Sequence, residues 1–194
     1  MSIYYVISRR TEKYTMANVA IKGDKTAQQI QEEIRNIPNF CREEASIAVT
    51  DLIGYVGDGI TLYYLDDTMV RGVINFEVNV DAVNIQGLCV VEPSGGVGSA
   101  LINAVKTFAE INKMKKIKLT CYGNVVNFYA RSGFRIQSQR VVKDEDDDSS
   151  DEDEDVREPK IRYDLAYEVI YGGKRKTKKS KRNTKKSKGK TRKI

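Results

Sequence analysis

The 194-residue chain contains no histidine and no tryptophan, and only three prolines and three cysteines. The missing histidine excludes Ser-His and Cys-His nucleophile pairs and the commonest zinc sites. Proton transfer must therefore use tyrosine, a carboxylate, cysteine, lysine or water, and no metal is expected. Cys41, Cys89 and Cys121 are odd in number and far apart in sequence. That pattern predicts reduced thiols in an intracellular protein of cytoplasm or nucleus. No apolar run approaches the roughly 20 residues that span a bilayer. In the opening "MSIYYVISRR" the apolar run is too short for a secretory signal, and its charges follow the run. No membrane partner is expected.

What the chain does have is charge, unevenly placed. Lys and Arg number 33 against 27 Asp and Glu, a net +6. Residues 144 to 155, "DEDDDSSDEDED", hold ten acidic side chains, and residues 172 to 194 hold thirteen basic ones. Without these runs the remainder is close to neutral, so the basic character belongs to the tail. Both runs are too polar to bury and are expected to be disordered. The chain thus divides into a domain over 1–171, interrupted by an acidic insert over 144–156, and a basic tail over 172–194. Ser149 and Ser150, each followed by acids, resemble acidophilic-kinase sites. The tail offers nonspecific nucleic-acid or acidic-protein binding; without aromatics it cannot stack on bases. It resembles the Lys/Arg-rich C-terminal tails of proteins of large DNA viruses.

Between the runs, hydrophobic periodicity predicts the elements. "SIYYVIS" reads as a strand. Residues 26–37 place Ala27, Ile30, Ile34 and Ile37 at helical spacing, with Thr26 and Gln29 as a capping box. A second helix is predicted over 42–53, closed by Gly54. "ITLYYL", "MVRGVINFEV" and "AVNIQGLCVV" read as successive antiparallel strands with short connections. A helix follows over 98–112, then the strand "KIKLTC", a short helix in "GNVVNFYARSGF" and two late strands. Strands with interleaved helices on a mixed sheet point to an α/β or α+β domain.

The most informative stretch is "VEPSGGVGSALI", a strand end running through glycines into a helix. Glycines let backbone N–H groups approach an anion, and a helix start adds unpaired N–H groups and a positive dipole end. A P-loop is excluded because the lysine is missing. A dinucleotide fingerprint fails because Leu101 replaces the third glycine and the next strand brings no ribose acid. The segment resembles the acetyl-CoA loop of the GNAT family of N-acetyltransferases. "NVVNFYARSGFRI" resembles that family's second signature, in the same order and one helix and one strand later.

The resemblance spans most of residues 60–171. It implies a mixed, mostly antiparallel central sheet flanked by helices, and acetyl transfer from acetyl-CoA to an amine on a protein or small molecule. It implies pyrophosphate contacts from Gly95, Gly96, Val97, Gly98 and Ser99. The pantetheine arm would pair with the backbone of Cys89, Val90 and Val91, with the oxyanion held by N–H groups near Val91. Asn124 would contact the arm, and Tyr129 would protonate the leaving thiolate. The loop departs from the family pattern by being short and by carrying Pro93 and Ser94 where Gln or Arg is customary. No carboxylate sits mid-strand as a general base; Glu77 and Glu92 are the nearest acids in sequence. Those departures favour the alternative, a weakly catalytic scaffold or nucleic-acid-associated protein acting through its charged runs.

Overall fold

The structure is a computed structural model. It describes residues 2–7, 21–22, 26–38, 40–41, 49–56, 59–66, 69–93, 95–142 and 160–171. The acidic run, the basic tail and residues 42–48 of the predicted second helix lie outside these, so their expected roles have no structural account.

The described chain builds one eight-stranded sheet. Its strands are β1 (Ser2–Ile7), β2 (Ile21–Lys22), β3 (Ile60–Asp66), β4 (Met69–Asn79), β5 (Ala82–Val90), β6 (Lys116–Tyr122), β7 (Arg135–Val142) and β8 (Lys160–Glu168). The spatial order is β2-β1-β3-β4-β5-β6-β8-β7. Only β1–β2 and β5–β6 pair in parallel, so the sheet is mixed and mostly antiparallel, as expected. The β5–β6 crossover is α3 (Val97–Ile111), since parallel neighbours need a long connection.

Two helical layers cover the sheet. On one face α3 and α4 (Gly123–Arg131) pack against β3–β6 and β8. Leu101, Val105 and Phe108 of α3 meet Ile74, Phe76, Ile85 and Ile117 there. On the other face lie α1 (Ala27–Asn36) and α2 (Val49–Tyr55), where Ile30, Ile34, Leu52 and Ile53 bury against Tyr63, Val73 and Cys89. The Thr26–Gln29 capping box is formed in both directions, at 3.2 and 2.8 Å. Gly54 lies inside α2 and does not end it. Among the described residues no helix is long and apolar enough to cross a membrane.

The expectation of three reduced thiols is corrected. Cys41 and Cys89 form a disulfide across 48 residues of chain, with Cα atoms 5.1 Å apart. The turn after α1 brings Cys41, in the left-handed region at φ 53°, back against β5. Cys121 is the free, buried cysteine.

β5 carries the feature that makes a site. Asn75 pairs with Gly87 and Phe76 with Ile85, so Gln86 has no partner on β4 and forms a β-bulge. A bulge bends its strand and re-aims the side chains beyond it. Val83 and Ile85 face the α3 layer; past the bulge Leu88 takes that face, and Cys89 turns to the α1 side. At the same point the pairing with β6 stops. Ile85↔Leu119 is the last register pair, although β5 runs on to Val90 and β6 to Tyr122.

Candidate active site

The two strands diverge beyond Ile85 and Leu119 and leave a slot in the sheet. A cavity of about 290 Å³ occupies it, floored by Gln86–Leu88 of β5 and Leu119–Tyr122 of β6. Tyr129 of α4 enters from one face, and Asp51 and Tyr55 of α2 from the other. Arg140 of β7 and Arg162 of β8 complete the wall.

Backbone alternation decides which groups of β5 face the slot. The Val91 N–H donates to the Arg71 carbonyl on β4 at 2.9 Å. In an antiparallel pair, alternate residues turn their polar groups to the same neighbour. Cys89 therefore also faces β4, and Leu88 and Val90 turn their N–H and C=O toward the slot. Of the three residues expected to meet the pantetheine arm through their backbone, Val90 is the one so oriented. Leu88 joins it, a residue that sequence reasoning missed because the bulge is invisible there. Val91 cannot supply its N–H to an oxyanion without losing its β4 bond.

The glycine turn ends in an open helix start. Gly96 is the N-cap of α3, at φ 74°, a region that a glycine enters without strain. No side chain caps this end. The first helical bond runs from the Ala100 N–H to the Gly96 carbonyl, so the N–H groups of Val97, Gly98 and Ser99 precede the ladder. Gly95, expected among the anion donors, instead donates its N–H to the Glu92 carbonyl at 3.3 Å. Gly98 is glycine for a packing reason. A Cβ there would meet Phe128 Cζ at 3.2 Å and Val90 Cγ1 at 3.7 Å. Gly72 of β4 likewise leaves room for Val97 and Leu101. These close approaches seat the helix start on the end of β5 and beside α4.

α4 links the helix start to the slot. Phe128, under Gly98, packs edge-on against Tyr129 with ring centroids 5.0 Å apart. The helix ends in a Schellman turn, with Phe134 N–H to Tyr129 O at 3.1 Å and Gly133 N–H to Ala130 O at 2.9 Å. That turn fixes the residue carrying the phenol. Burial, and then the neighbouring Cys121, push the Tyr129 hydroxyl well above the usual phenol range. Burial, with a contribution from Asp164, raises the Cys121 thiol to about 11, so it stays protonated and is a poor nucleophile near neutrality. Asn124 lies exposed in the first turn of α4.

Glu77 and Glu92 do not reach the cavity; Asp51 does. No local signal marks Asp51, since α2 is brought over β5 only by the tertiary fold. Asp164 sits on the same sheet face as Arg140 and Arg162. It accepts hydrogen bonds from Ser138 Oγ at 2.6 Å and Thr120 Oγ1 at 2.9 Å, which hold its carboxyl below the ordinary range. Among the described residues no three His, Cys, Asp or Glu side chains gather as metal ligands.

No protein-family profile and no curated protein matches the sequence. Solved structures do match the fold. The IAA acetyltransferase from Bacillus cereus aligns over 70% of this chain and 95% of its own, at 20% identity and TM-score 0.52. A GNAT family acetyltransferase from Elizabethkingia anophelis with acetyl-CoA bound aligns over 64% and 86%, at 19% and 0.52. The ribosomal-protein-S18-alanine N-acetyltransferase from Escherichia coli aligns over 70% and 87%, at 12% and 0.52. The chain has the GNAT acetyltransferase fold.

Proposed function

We propose that this chain transfers an acetyl group from acetyl-CoA to an amine. The observation that carries the reading is a continuous track. It starts at the uncapped N-terminus of α3, follows the unpaired edge of β5 and ends in the slot at Tyr129. The pyrophosphate would sit on the N–H groups of Val97, Gly98 and Ser99 beside Gly96, where charge-assisted hydrogen bonds contribute roughly 1.5–3 kcal/mol each. The pantetheine arm would add as a strand beside Leu88 and Val90, with Asn124 near its path.

The amine nitrogen then attacks the thioester carbonyl carbon. With Val90 pairing the arm, the Leu88 N–H, farther along the same edge into the slot, would stabilise the oxyanion. Collapse breaks the C–S bond and forms the amide. The nitrogen loses a proton to Asp51 or water, and the departing sulfur takes one from Tyr129. Burial raises the phenol pKa, and a thiolate that forms against it is partly desolvated and gains proton affinity in the same direction.

The test is CoA release from acetyl-CoA with a panel of amines, alongside thermal stability with and without acetyl-CoA. Release together with stabilisation supports transfer. Stabilisation without release from any amine favours the weakly catalytic scaffold. The absence of both release and stabilisation would overturn the acetyl-CoA reading.

A further inference from the structure

Two guanidiniums that the acetyl-transfer scheme does not use line the slot. Arg140 and Arg162 stand directly opposite each other on β7 and β8, and both line the cavity. Like charges placed opposite on neighbouring strands are unfavourable, so such a pair needs a reason. Among the described residues neither guanidinium has a carboxylate at salt-bridge distance; the ion pairs found are Arg71–Asp66 and Lys115–Asp81. Asp164 on the same face feels both guanidiniums, but its carboxylate accepts from the Ser138 and Thr120 hydroxyls and forms no salt bridge with either arginine. Arg162 is further fixed by Tyr122, with Nη2 donating to the phenol oxygen at 3.2 Å and the guanidinium 5.4 Å from the ring centroid. A planar fork held this way suits an oxyanion, which it can grip through two parallel N–H bonds.

Asp51 and Tyr55 stand on α2, across the same cavity. The slot therefore offers an acid on one wall and two guanidiniums on another. At about 290 Å³, shared with the thioester end of the coenzyme, the slot has room for a small acceptor. We infer that the acceptor is a small amine that also bears an anionic group, carboxylate or phosphate, with the anion on Arg140 and Arg162 and the ammonium toward Asp51. This rests on the acetyl-transfer reading and narrows its substrate class.

The experiment compares acceptors that differ only in the anion, using the full-length protein. The pairs are 4-aminobutanoate with butylamine, lysine with 1,5-diaminopentane, and phosphoethanolamine with ethanolamine. Acetylation of the anionic member should be about 10- to 100-fold more efficient, mostly through KM, as expected for a charge-assisted bidentate contact. The first two pairs report a carboxylate, the third a phosphate. Arg162→Gln should bring the preferred ratio close to 1, and Arg140→Gln should reduce it. Arg140→Gln should leave the melting temperature nearly unchanged, whereas Arg162→Gln also gives up its contacts with Tyr122 and should lower it modestly. Should Arg162→Gln fail to fold, Arg140→Gln carries the test.

If every amine proves inert, binding decides. 4-Acetamidobutanoate should bind the CoA-loaded protein about 10-fold or more tightly than N-butylacetamide, and 2-acetamidoethyl phosphate likewise more tightly than N-(2-hydroxyethyl)acetamide if the anion is a phosphate. Each advantage should shrink in the Arg140→Gln variant and vanish in Arg162→Gln. Neutral amines acetylated as well as anionic ones would overturn the inference while leaving acetyl transfer intact. So would anionic preference that survives both substitutions, or, for inert amines, absence of anion-dependent binding. Loss of stabilisation by acetyl-CoA would mark the separate failure of the underlying reading.

Discussion

Ser99→Glu should make the free protein more stable and abolish its stabilisation by acetyl-CoA. Ser99 is exposed at the third position of α3, and the N-cap, Gly96, supplies no side chain to the open N–H groups. A glutamate there can reach back to the N-cap N–H and complements the helix dipole. The gain is about 0.3–1 kcal/mol, or roughly 1–4 °C for a chain of this size. In the complex the same carboxylate would stand about 4 Å from the pyrophosphate. One like-charge pair at that distance costs about 4 kcal/mol at an effective dielectric constant of about 20, close to a 10³-fold loss of affinity. At acetyl-CoA about 100 times the wild-type Kd, wild type gains roughly 2.7 kcal/mol, equivalent to about 5–10 °C. The variant would sit at about a tenth of its own Kd and gain less than about 0.1 kcal/mol. Differential scanning of wild type, Ser99→Glu and Ser99→Gln, with and without acetyl-CoA, reads both signs at once. A Ser99→Glu protein that keeps the full acetyl-CoA shift would refute the placement of the anion. Loss of the shift in the glutamine variant as well would refute the charge argument, since bulk alone would then suffice.

Tyr129→Phe should keep the acetyl-CoA shift while lowering kcat about 10²-fold or more, measured as CoA release at saturating acceptor; an unchanged kcat removes the phenol from the chemistry. Stability should fall as pH rises from 9 to about 11, because the Cys121 thiol has its pKa raised on folding, so the native state holds its proton while the unfolded chain gives it up. The loss is on the order of 2–3 kcal/mol, and urea unfolding at pH 8 and pH 10.5 should show it shrinking in Cys121→Ala. Reduction, or Cys41→Ser, opens a loop of 48 residues and should cost up to about 4 kcal/mol, roughly 8–16 °C in melting temperature. A melting temperature indifferent to reductant would mean that Cys41 and Cys89 are not joined in solution.

The parts of the site carried by local pattern were legible in the sequence. The glycines before α3, the helix that follows and the turn after Tyr129 are each set by residues within a few positions, so spacing placed these elements, while their roles came only from the family resemblance. The capping box at Thr26 is equally local. Other parts depend on partners far away in sequence. Nothing near Asp51 marks it as facing β5, and Arg140 and Arg162 meet only because β7 and β8 pair across the acidic run. Cys41 and Cys89 looked unrelated because the turn after α1 was not readable from its residues. The availability of Val90 and the engagement of Val91 follow from one hydrogen bond to Arg71, which no composition rule supplies. "AVNIQGLCVV" reads as an uninterrupted strand because a bulge leaves no mark on propensity.

That bulge stores the slot as a number and not as a chemical group. One residue more on β5 than on β4 is what turns Cys89 toward Cys41 and carries the end of the strand away from β6. Replacing Gln86 by another residue leaves the number intact, so the cleft should survive substitution there. Deleting it should not be survivable in the same way. The outer half of β5 would turn over: Leu88 would point to the α1 side, Cys89 to the α3 side, and the straightened strand could zip onto Thr120, Cys121 and Tyr122. Such a chain would retain every residue named as a candidate for chemistry except a glutamine, and would have no opening in which to use them. In this chain, loss of one residue from β5 should therefore close the slot more surely than any single replacement along it.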